Sequence, residues 1–265
     1  MAYVRITDTQ VAIGKPGTSS EMTTIRNNQD DFDSRISSLF AFGNSGIIDD
    51  FLGNDGSAPD AGSWVTVSGG GGSSATVQAS SHSVNLIANG GSISLIRAAD
   101  GRIGMHMANH ELTTVMQFRL KESFLGTTFM LGWQDRSLAD TGTRATTIAN
   151  CIGLVKGTGT TWKFRFANAG TNTEVDSLGA PGSWGVFRFT VTCSATAGNR
   201  VVRCQGGTTE AALADVAGSP WTNTTSMPTG KYLSPSFCPN DGGLGVCNFL
   251  IDYVLAYTTA RPLAP

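Results

Sequence analysis

The chain has 265 residues, a formal net charge of −2 and only 14% charged side chains, so nothing draws it electrostatically to nucleic acid or to an anionic membrane surface. Residues 1–10 lack the apolar centre of a signal peptide and no apolar run approaches a membrane span, so neither general secretory export nor membrane insertion is expected. The 33 glycines and the abundant Ser and Thr read instead as short strands joined by tight turns beneath a neutral, hydroxyl-rich surface.

The first 17 residues carry Tyr3, Val4, Ile6, Val11 and Ile13 with no helical period. They predict an extended arm that cannot bury itself and that docks along a partner by strand-type pairing. The bland reading is an unstructured terminus.

Residues 18–42 place Met22, Ile25, Gln29, Phe32, Ile36 and Leu39 at alternating steps of three and four. That is an a/d seam of about two and a half heptads, and it calls for partner helices. Thr18 and Glu21 form a capping box, while Gly14, Pro16 and Gly17 stop the helix from starting earlier. At about 1.5 Å per residue the helix would be roughly 35 Å long. Gln29 on the seam is the kind of polar residue that fixes register and oligomer state. The expectation is a homotrimer held by a short three-helix bundle; the alternative is a helix folded back on its own domain.

The run TDTQVAIGKPGTSSEMTTIRNNQDDFDSRI resembles the start of many virion proteins of tailed bacteriophages. The matching residues are Asp8, Val11, Ala12, Gly14, Lys15, Pro16, Thr18, Met22, Ile25, Arg26 and Asn28. The resemblance covers roughly the first 35 residues. It implies a structural role on the particle: capsid decoration, or a short fibre at the head–tail junction.

After a linker at 42–46, Asp50, Phe51 and Trp64 open a second pattern, and the terminal run FLIDYVLAYTTARP closes it. The opening D-D-F…W-x-V resembles the first strands of concanavalin-like jelly rolls. The closing x-D-Y-V-x-x-Y resembles the last strand of laminin-G-like and glucanase-like sandwiches. Both ends of that fold are thus present, with first and last strands expected side by side in one sandwich from about Ile47. In the closing run Phe249, Ile251, Tyr253, Leu255 and Tyr257 alternate with Leu250, Asp252, Val254 and Ala256. Strand-like runs at 92–97, 112–120, 127–133, 147–154, 162–167, 187–193 and 200–205 fill the interior, with 187–193 the cleanest period-2 segment. The patch at 68–74 reads as a loop rather than a linker between domains, and 213–221 as room for a helical turn. No fixed-period repeat is present.

Glucanases of this fold carry E-x-D-x-x-E on one strand, so that a nucleophile and an acid sit about 5–5.5 Å apart. Here Glu174-Val175-Asp176-Ser177-Leu178-Gly179 lacks the second glutamate. His106 and His110 precede Glu111, but not on a helix, where four-residue spacing would bring two imidazoles onto one metal. Asp49, Asp50, Asp55 and Asp60, and Asn240, Asp241 and Asn248, are oxygen-bearing clusters of the kind calcium uses, yet they read better as turn residues. Five cysteines with no C-x-x-C read as buried thiols, although Cys193 with Cys204 and Cys238 with Cys247 would suit hairpin pairs. Of the tryptophans, Trp133 and Trp162 belong to strands and the core, while Trp64 and Trp184 are less decided. Trp221, after Gly218-Ser219-Pro220, is the candidate exposed ring for stacking on a sugar.

The chain therefore reads as mainly β: an arm at 1–17, a coiled-coil helix at 18–42 and a concanavalin-like jelly roll at 47–265. It is expected to need no cofactor or metal and to catalyse nothing. Its expected partners are two further copies of itself and other virion proteins, with assembly in the host cytoplasm and final residence on the virion. The alternative is a receptor-binding module that recognises host surface glycan.

Overall fold

Sixteen strands form in a computed structural model that describes residues 46–51, 55–69, 74–78, 83–89, 93–98, 103–124, 128–135, 149–156, 162–178, 182–240 and 246–260. The expected arm and coiled-coil helix, with all of their docking and seam residues, lie outside these described residues. The strands are β1 (Gly46–Asp49), β2 (Trp64–Gly69), β3 (Ser74–Gln78), β4 (Ser83–Asn89), β5 (Ile93–Ala98), β6 (Leu112–Phe124), β7 (Thr128–Asp135) and β8 (Cys151–Lys156). They continue as β9 (Lys163–Asn168), β10 (Thr171–Asp176), β11 (Gly185–Cys193), β12 (Val201–Gly207), β13 (Ala214–Asp215), β14 (Trp221–Thr222), β15 (Leu233–Asn240) and β16 (Val246–Ala260).

Two antiparallel sheets face each other. The nine-stranded sheet runs β13-β12-β11-β6-β16-β4-β3, with β1 beside β16 and β14 beside β12. The seven-stranded sheet runs β10-β9-β8-β7-β15-β5-β2. Of the patch expected to be a loop, Ser68 and Gly69 end β2 and Ser74 begins β3, strands of different sheets, while 70–73 lie outside the described residues. First and last strands are neighbours: Gly46 to Asp49 pair with Tyr257 to Val254.

Alternation decides which side chains turn inward. In β11, Phe187, Phe189, Val191 and Cys193 are buried while Arg188, Thr190 and Thr192 point out. In β6, Met116, Phe118 and Leu120 are buried. Phe118 sits at the centre, with ring centroids 5.9 Å from Phe187, 5.8 Å from Phe189 and 5.2 Å from Phe237 of the opposite sheet. Phe129 and Phe249 meet across the sheets at 4.7 Å, and Phe164 packs on both Phe187 and Phe189. Burying one such ring contributes roughly 1.5–3 kcal/mol, so this aromatic column is a main hold between the layers. Trp133 and Trp162 are fully buried, as expected, and so is Trp64.

The closing strand departs from simple alternation. Ile251 pairs with Leu120, yet Tyr253, not Asp252, pairs with Arg119. This bulge at Asp252 inserts one residue and reverses the phase of β16. Phe249 and Ile251 point inward before it; Val254, Ala256 and Thr258 point inward after it. Tyr253, Leu255 and Tyr257, read in phase with Phe249 and Ile251, belong to the outer face instead.

One local expectation is corrected, and another, that the cysteines are buried free thiols, is met for the four described. Segment 213–221 is not a helical turn: it holds the bridging strand β13, a turn and the start of β14, and the short 3-10 turn comes earlier, at Glu210–Ala212. Cys151, Cys193, Cys204 and Cys238 are free and buried, and Cys204 pairs across the ladder with Phe189 rather than Cys193.

Candidate functional site

The bulge at Asp252 matters because it turns the Tyr253 phenol onto the outer face of the nine-stranded sheet. Arg188 on β11 lies opposite Gln117 on β6, and Gln117 opposite Leu255 on β16. The three strands therefore present a guanidinium, an amide and an aliphatic side chain in one row, with Tyr253 in the next. Arg188 Nε donates to Gln117 Oε1 at 2.7 Å, Gln117 Nε2 donates to the Tyr253 hydroxyl at 2.7 Å, and that hydroxyl donates to Glu210 Oε1 at 2.7 Å. Glu210 belongs to the turn after β12, so this contact spans the width of β11 and β6. This run is polarised in one direction, from cation to carboxylate, with a charge-assisted bond at each end and a neutral one between them, and it holds each member in one rotamer.

Beside this run opens a groove of about 410 Å³, whose remaining wall is Asp49 and Asp50 at the end of β1. Asp49 is committed: Oδ2 accepts from Trp64 Nε1 at 2.6 Å and Oδ1 from the Phe51 N–H at 2.8 Å. Burial nonetheless raises its carboxyl above the usual 3.8, outweighing the two donors. Burial likewise raises the Tyr253 phenol, reinforced by its bond to Glu210, so it stays a neutral hydroxyl. Further along, Arg119 bonds Asp252 at 2.7 Å and lies 4.7 Å above the half-buried Trp184 ring, a cation–π contact that continues the polar face.

On the outward side of the seven-stranded sheet, the side chains at its middle are buried. Met130, Gln134, Cys151, Ala167, Ser236 and Cys238 all point away from the main core and are 1% exposed or less. Gln134 Nε2 donates to the carbonyls of Met130 and Ser236, and Gly132, at φ +144°, leaves no room for a Cβ against the Ile152 carbonyl. Glu174 and Asp176 do share the outer face of β10, but β10 is an edge strand and Glu174 sits 3.8 Å from both Arg165 and Lys163. It is an ion-paired edge residue.

Other singled-out residues are dispersed. The His106 N–H donates to His110 Nδ1 at 3.1 Å, and His110 packs edge-on to Tyr232. Burial and then His106 lower the His110 pKa. Glu111 turns away, accepting from Ser194 Oγ and the Ala195 N–H. Asp60 accepts from the Gly62 N–H in a local turn, while Asp55 is exposed. Asn240 and Asp241 fall outside the described side chains. Trp221 is half-buried, its ring 5.0 Å from Phe166, so part of its surface is taken up by packing. Sequence reasoning missed Gln117, Arg188 and Glu210. They are separated by 71 and 22 positions or more, and only the strand order brings them together; Tyr253 was visible but assigned to the wrong face.

The sequence matches no family model, and no curated protein matches it. Solved structures do resemble the fold. A protein of unknown function from Shewanella oneidensis MR-1 aligns with a TM-score of 0.53 at 13% identity, over 95% of this chain and 99% of that one. An endo-1,3-beta-glucanase from Streptomyces sioyaensis aligns at 0.51 and 9%, over 83% and 98%. Arcelin-5, a lectin-like defense protein from Phaseolus vulgaris, aligns at 0.50 and 12%, over 82% and 99%. At such identities the likeness is one of fold: this chain carries a concanavalin-like, lectin-like jelly roll.

Proposed function

We propose that the chain is a non-enzymatic structural protein of a tailed-phage virion. Residues 1–42 dock it and assemble it as a homotrimer, and the jelly roll forms the outer body as capsid decoration or a short fibre. The observation that carries this reading is the order of parts. A virion-type N-terminal motif with a heptad seam runs directly into a lectin-like sandwich. A further observation counts against hydrolysis: Glu174 is held by two cations, with no second glutamate in its string. Fold alone does not give function, since lectins and glucanases share this architecture.

Replacing Ile25 and Ile36 with Asp tests the assembly role. The expected product is a folded, monomeric sandwich by light scattering; a double variant that remains a trimer refutes the seam.

A second reading, a receptor-binding module for host surface glycan, is favoured by one specific feature: the polar groove on the nine-stranded sheet. The two readings are compatible on one particle, where three copies of a weak site gain avidity.

A further inference from the structure

We propose that the groove between β1, β16 and the turn after β12 is a binding site for a neutral saccharide, held through a pair of its hydroxyls. The proposal rests on the glycan-recognition reading above and assigns it a place and a ligand chemistry.

Charge comes first. The walls carry three carboxylates, Asp49, Asp50 and Glu210, against one guanidinium, Arg188. Phosphate, sulfate or an acidic sugar would enter a negative field, so anionic ligands are disfavoured. Neutral hydroxyls are not, because each one both donates and accepts.

The free hydrogen-bonding capacity matches such a ligand. Asp49 has both oxygens engaged and serves as wall. Asp50 is exposed with no side-chain partner among the described residues. Arg188 spends Nε on Gln117, which leaves its terminal nitrogens to donate into the groove, and Glu210 spends Oε1 on Tyr253, which leaves Oε2 to accept. Two acceptors and a forked donor suit adjacent hydroxyls, with charge-assisted bonds in both directions. Leu255 and the Tyr253 ring supply apolar surface for the C–H side of a pyranose.

The site is also built before any ligand arrives. The Arg188–Gln117–Tyr253–Glu210 run fixes three of its walls, so little side-chain freedom remains to be lost on binding. A volume of about 410 Å³ falls within the range of about 300–1,000 Å³ typical of small-molecule sites.

The test uses the full chain with methyl glycosides of glucose, galactose, mannose and N-acetylglucosamine, and with glucuronic acid, read by saturation-transfer NMR and titration calorimetry. In parallel, adsorption to bacterial envelope polysaccharide is measured. Asp50→Asn and Glu210→Gln are the variants, because both residues are exposed and the unchanged melting temperature of each confirms folding. The expected result is binding of at least one neutral glycoside, weakened about 10-fold or more in either variant, with glucuronic acid weaker still. Wild-type binding that both variants leave unchanged overturns the groove while keeping glycan recognition. Failure to bind any neutral glycoside, or preference for glucuronic acid, overturns the proposed chemistry. Loss of adsorption to envelope polysaccharide as well overturns the glycan reading itself.

Discussion

Tyr253→Phe removes one oxygen atom and tests whether the bulged strand organises the outer face. The ring stays, so no cavity forms. What is lost is the acceptor of Gln117 Nε2 and the donor to Glu210 Oε1, both at 2.7 Å. The two losses differ in weight. Glu210 is exposed, and water replaces the phenol at little cost. Gln117 is 4% exposed, so its amide N–H is left without a partner in a place water reaches poorly. An orphaned buried donor costs about 1–3 kcal/mol. At roughly 2–4 °C per kcal/mol for a domain of this size, the melting temperature should fall by about 2–12 °C. A companion variant separates this from a general packing effect. Gln117→Leu combined with Tyr253→Phe removes both partners, and the pair should cost less than the sum of the two single changes, with a coupling of about 0.5–3 kcal/mol. Calorimetric or denaturant unfolding of the four proteins in the cycle reads this directly. A melting temperature unmoved by Tyr253→Phe, or strict additivity in the cycle, refutes the claim that these side chains form one network.

Asp49 gives a pH prediction. Folding raises its carboxyl above the usual 3.8, so the folded state favours the protonated form. The corresponding stabilisation is present below the unfolded pKa and lost as pH rises through the folded one. Unfolding of Asp49→Asn should therefore compare more favourably with the wild type at about pH 7 than at about pH 3, and a gap that is the same at both ends contradicts the assignment. Cysteine reactivity gives another. Burial pushes the Cys151, Cys193 and Cys238 thiols up to about 12, and raises Cys204 too. Peptide mapping after alkylation should find these four unlabelled in the native protein and labelled once it is unfolded.

The jelly roll was legible where alternation is strong and uninterrupted. Segment 187–193 shows it: every second residue is apolar, and the strand forms with those residues inside. Three elements resisted for distinct reasons. Strand β15 contains Pro235 and Pro239, which argue against an interior strand, since proline cannot donate to the ladder. The sheet accommodates them by keeping a continuous ladder to β7 and only a broken one to β5, where Ser236, Phe237 and Asn240 alone are paired. Strand β10, TNTEVD, is a polar edge with one partly buried valine, and so it has no apolar period to read. The bulge in β16 hid the groove: its sequence alternates without a break, and only the opposing register on β6 shows that Asp252 is extra. The groove was illegible for a related reason. Arg188, Gln117 and Glu210 stand on different strands and turns, and strand order, unlike spacing, is not written locally.

If the N-terminal segment assembles the chain as proposed, solution mass tests its junction with the lectin-like body most directly. Light scattering of the full chain is compared with that of a truncation starting at Gly46, the first residue of β1. The prediction is three chain masses for the full protein and one for the truncated sandwich. A single chain mass for both, or a trimer that survives the truncation, would contradict it.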